Sequence, residues 1–119
     1  MRIRIVLLAA LGALAAVGAS SAAPATTRLD GTVGPNFKIT LNSATGVKVK
    51  TLRAGLYSIT VKDLSPIHSF VMEGPGVERE ITGVSFTGTK TVTVKLRKGK
   101  YKVYCRPHES SMFQFVAVS

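Results

Sequence analysis

The chain has 119 residues, a single cysteine, and 16 Lys and Arg against 6 Asp and Glu. That length allows one domain with a modest core and excludes a second, and one cysteine excludes an internal disulfide. A net charge of +10 favours acidic partners or anionic surfaces. No nucleic acid is expected, because the basic residues are spread along predicted strands and no nucleic-acid motif is present.

In chain order, the first expected element is a leader over residues 1–23. Arg2 and Arg4 precede the apolar run Ile5 to Val17, which is about the length of a signal-peptide core and short for a membrane span. Ser21 and Ala23 fit a small-x-small cleavage site, so cleavage is expected after Ala23. The expected product is an exported chain (periplasmic, cell-surface or secreted) with no transmembrane segment once the leader is removed. It would keep about 96 residues and a net charge of about +8, since only Arg2 and Arg4 are lost. Residues 24–34 are small, polar and aperiodic, and read as a flexible linker.

From residue 35 to 119 the apolar period is two, and this stretch is the expected domain. Phe37, Ile39 and Leu41 alternate with polar residues, as do Tyr57, Ile59 and Val61, then Val92, Val94 and Leu96, then Tyr101, Val103 and Cys105. Phe113 to Val118 closes the series. Gly46, Ala54-Gly55, Gly74-Pro75-Gly76, Gly88 and Lys98-Gly99 punctuate it, and the stretch from Gly83 to Gly88 reads as irregular. Short strands at this spacing, with no further helix, predict an all-β antiparallel sandwich or Greek-key barrel. Alternation puts Cys105 on the core side with Tyr101 and Val103.

Beyond the leader, the chain offers five sulfur or imidazole donors. Cys105, His108 and Met112 share one loop in the order C-x2-H-x3-M. His68 opens another strand, and Met72 within that strand reads as packing. A thiolate, two imidazoles and a thioether suit copper, held in a Cys-His-His plane with a weak axial Met. Structural zinc more often gathers several thiolates or repeated Cys/His pairs. A metal role also explains why an exported chain would keep one unpaired thiol. Ser110 and Ser111 do not read as nucleophiles, because Glu109 adjoins His108 directly and is poorly placed to orient it. No enzyme activity is expected.

Tyr104-Cys105-x-Pro107-His108 with a nearby Met, after Pro66-x-His68, resembles the cupredoxins, and among them the small exported plastocyanin and amicyanin-like proteins. The segments Ile67 to Phe70, Gly74 to Val77 and Gly83 to Gly88 extend the similarity over roughly residues 30–118. The resemblance implies a cupredoxin-like Greek-key sandwich with copper ligands at His68, Cys105, His108 and Met112. It implies one-electron transfer to a redox partner protein, expected to be acidic, by a monomer. The alternative is an extracytoplasmic copper scavenger or chaperone. Two features depart from the pattern. Three residues separate His108 from Met112, where plastocyanin-like loops commonly have four and amicyanin-like loops two. Ser69 stands where the family often has an Asn that ties the two ligand loops together. In the family the loop imidazole reaches the surface, so His108 is the expected exit for electrons, flanked by Pro107 and the Gly74-Pro75-Gly76 turn.

Overall fold

The computed structural model describes residues 25–119, so the expected leader lies outside the described residues. Nine strands follow: β1 (Thr27–Val33), β2 (Ile39–Ser43), β3 (Thr51–Leu52), β4 (Gly55–Asp63), β5 (Phe70–Gly74), β6 (Val77–Thr82), β7 (Gly88–Leu96), β8 (Gly99–Tyr104) and β9 (Phe113–Val118). They form two sheets, ordered β2-β1-β4-β7 and β3-β9-β8-β5-β6. The predicted all-β sandwich is what the chain forms.

Two pairings are parallel, β1 with β4 and β3 with β9, where the alternation predicted an antiparallel array. Parallel neighbours need a long crossover. The chain supplies one by leaving β2, visiting β3 in the other sheet, and returning as β4.

The expected linker is largely a strand. Leu29, Gly31 and Val33 point inward from β1, and Leu29 and Val33 are buried. Gly31 hides the alternation for a steric reason: a Cβ there would sit 2.8 Å from the Phe70 ring of the opposite sheet. The domain therefore begins near Thr27, before the expected boundary at 35.

Inward side chains from both sheets make one core. Leu41, Ile59 and Val61 face Phe70, Met72, Tyr101 and Val103, all essentially without solvent contact. Each such aliphatic or aromatic residue contributes roughly 1.5–3 kcal/mol by leaving water. Met72 packs here, as expected.

Gln114 of β9 clamps the sheets at one edge. Its Oε1 accepts from the Leu41 N–H at 3.0 Å, and its Nε2 donates to the carbonyls of Leu41 at 3.0 Å and Val49 at 2.7 Å.

Candidate metal centre

Three loops meet at one end of the sandwich: β1–β2, β4–β5 and β8–β9. After β8, Arg106–His108 forms a single 3₁₀ turn with Pro107 inside it. Proline suits the start of such a turn because its φ is already set and it has no N–H to leave unpaired. A 3₁₀ turn repeats every three residues, so residues three apart eclipse. C-x2-H spacing therefore puts Cys105 and His108 on one side, and the His108 N–H donates to the Cys105 carbonyl at 3.1 Å. The Cys105 N–H donates to the Met112 carbonyl at 3.0 Å and the Met112 N–H to the His108 carbonyl at 2.8 Å, which closes the loop on itself.

His68 enters from the β4–β5 loop. Its Nδ1 lies 3.2 Å from Nδ1 of His108 and 3.7 Å from Sγ of Cys105, and Sγ lies 3.5 Å from Nδ1 of His108. For a triangle with those sides, the point equidistant from all three atoms is about 2.0 Å from each, the length of a metal–imidazole bond and slightly shorter than a metal–thiolate bond. The three residues group as one cluster able to hold a metal ion. His68 and Cys105 are fully buried and His108 is half-buried. Met112, the fourth expected donor, is a buried member of the core at the base of this loop.

Ser69 does the work expected of the Asn it replaces. Its hydroxyl accepts from the Arg106 N–H at 2.9 Å and its own N–H points at Sγ of Cys105 at 3.3 Å, so both ligand loops are tied. The Glu80 carboxylate lies 3.8 Å from the Arg106 guanidinium, an exposed pair of small energetic consequence.

Phe37 was not legible as a site residue, since its alternation with Ile39 and Leu41 suggested a strand. It lies instead before β2, edge-on to both imidazoles, with ring centroids 5.1 Å from His68 and 5.0 Å from His108. The preceding Gly34-Pro35-Asn36, a turn signal, was the clue. Phe37, Leu64 and Ile67 are 61%, 52% and 51% exposed, which gives this end an apolar rim. The Gly74-Pro75-Gly76 turn is not part of it. β5 runs antiparallel to β8, so that turn sits at the start of β8, where the Tyr101 hydroxyl donates to the Pro75 carbonyl at 2.6 Å. Cys105 follows the other end of β8.

Tyr104, the neighbour of Cys105, has its phenol pKa pushed above the ordinary 10.0, first by burial and then by the Glu73 carboxylate. A folded-state pKa above the unfolded value contributes stability that is complete below about pH 10 and is lost as pH rises through the folded value. Tyr104→Phe should flatten that alkaline loss. Urea unfolding between roughly pH 9 and 11 checks it, and equal slopes for both proteins would contradict the burial argument.

No protein-family model matches the chain, and no curated protein matches its sequence. Solved structures do. Rusticyanin from Thiobacillus ferrooxidans superposes with a TM-score of 0.55 at 22% identity, covering 79% of this chain and 77% of that one. Reduced rusticyanin gives 0.56 at 21% identity, with 79% of each chain covered. This chain has the cupredoxin fold. A chain of a heme-copper terminal oxidase dimer is also similar, with a TM-score of 0.54 at 15% identity, covering 77% of this cupredoxin-fold chain and 63% of that one. The donor triangle sits at one end of this fold and fits copper in both size and chemistry: two imidazoles and one thiolate, held by adjacent loops.

Proposed function

We propose that this protein is an exported blue-copper protein that carries single electrons, and that His68, Cys105 and His108, with Met112 as a fourth donor, would hold the copper. The observation that carries this reading is the donor triangle, whose centre lies about 2.0 Å from all three atoms. When bound, copper supplies a one-electron couple between its cupric and cuprous states. The protein supplies rigidity. Hydrogen bonds from Ser69 to both ligand loops and within the 105–112 loop hold the donors in place, so little need rearrange when charge changes. Burial of Cys105 and His68 favours a carrier over a protein that hands its ion on, since a departing ion needs accessible ligands.

His108 is the exit for electrons, because it is the half-buried member of the three and stands inside the apolar rim of Phe37, Leu64 and Ile67. A partner can approach closely there. The net positive charge steers an acidic partner toward it, at a rate that falls as salt is added. The leader directs the domain out of the cell interior and is then removed, and the carrier acts as a monomer.

Titration of the purified protein with cupric ion tests the reading. An intense blue band that bleaches reversibly on one-electron reduction is expected, and a colourless or merely pale complex would overturn it. Met112→Leu should keep the colour and raise the reduction potential, because losing a sulfur donor favours the cuprous state. An unchanged potential would place Met112 in the core alone.

A further inference from the structure

Among the described residues, three buried side-chain atoms have no hydrogen-bond partner: Oδ2 of Asp63, Nε2 of His68 and Oγ1 of Thr82. Their residues are essentially without solvent contact. Buried polar groups are nearly always paired, so three orphans need a reason. They also share a place. Asp63 ends β4, Thr82 ends β6 opposite Phe70, and His68 lies two residues before Phe70, so all three approach the metal end of the sandwich.

Local packing links two of them closely. A Cβ added to Gly34 would lie 2.8 Å from Cβ of Ser65 and 3.3 Å from Cδ2 of His68, the ring carbon bonded to Nε2. Ser65 in turn donates its N–H to Oδ1 of Asp63 at 3.1 Å. Ser65 and His68 thus pack against the same glycine, and Ser65 is bonded to the carboxylate. Asp63 spends one oxygen on that loop and keeps the other free.

The three groups are chemically complementary: a ring nitrogen, a carboxylate oxygen and a hydroxyl that can donate or accept. One water molecule carries the donors and acceptors that all three call for, and two to four polar partners are what an internal water requires. We propose that His68, Asp63 and Thr82 enclose one internal water, which makes Asp63 a positioning residue for His68. The water accepts the Nε2–H of His68, donates to Oδ2 of Asp63, and shares its remaining capacity with the Thr82 hydroxyl. Holding the proton on Nε2 leaves the Nδ1 lone pair facing Cys105 and His108. Only this last consequence rests on the copper reading. The cage itself does not.

The metal-free protein, labelled with nitrogen-15, gives the direct test. His68 should be the Nε2–H tautomer, with slow exchange of that proton and a cross-relaxation signal to a bound water. Asp63→Ala and the nearly isosteric Thr82→Val should each speed that exchange, Asp63→Ala by about tenfold or more, and Asp63→Ala should weaken copper binding by about 10- to 100-fold. An Nδ1–H tautomer in the unaltered protein, or exchange unchanged in Thr82→Val, overturns the proposal even if Asp63→Ala fails to fold. If the unaltered protein binds no copper, the electron-carrier reading falls while the tautomer and exchange data still decide the cage.

Discussion

Cys105→Ser protein is expected to fold and to give no intense band with cupric ion. The band requires a thiolate, and the chain has one cysteine. The fold should survive because a serine oxygen occupies less space and can still accept the Ser69 N–H that now points at sulfur. A buried hydroxyl in place of a thiol should lower stability by about 1–3 kcal/mol, which the core can absorb. Absorption spectra with copper and a urea melt without it separate the two effects. A persisting intense band would remove Cys105 from the site, and an unfolded variant would mean that the thiol holds the loop as well as the ion.

The second large effect is expected at a residue outside the donor set. Gln114→Leu keeps nearly the same volume but strips partners from the buried N–H of Leu41 and carbonyl of Val49. The Leu41 carbonyl keeps a partner, because it also accepts from the Val49 N–H at 3.0 Å. Each orphaned group costs about 1–3 kcal/mol, so a loss of roughly 2–6 kcal/mol is predicted for the two. Chemical denaturation should show a lower midpoint with an unchanged slope. A loss below about 1 kcal/mol would mean that water takes over the bonds and that the clamp is not closed to solvent.

Period-two alternation was enough to reveal the strands, because one face of each is buried and the other wet. Tyr101, Val103 and Cys105 did face inward together. What it missed follows from two exceptions. β1 was obscured where a glycine replaces an inward side chain to admit Phe70, and an alternation count records a glycine as a break. Phe37 carried the right period into the wrong element, because alternation does not reveal where a strand starts. The three-donor cluster was legible because C-x2-H matches the repeat of one 3₁₀ turn and His68 lies just ahead of a strand. The place of the Gly74-Pro75-Gly76 turn was not, since it depends on which way β5 runs beside β8. Asp63 and Thr82 gave no signal either, as a single polar residue at a strand end is ordinary.

All three donor residues hang from hydrogen-bonded neighbours, β5 and β8, within a single sheet. Slippage between the two layers of the sandwich would therefore leave the spacing of the donors untouched. Phe37 hangs from the opposite layer, between β1 and β2, yet its ring rests on both imidazoles. Thermal breathing of the domain would thus appear first as a loosening of that ring contact, with the inner geometry of the centre still intact. Its ring-flip rate, followed with rising temperature, is a built-in gauge of how far one layer moves over the other.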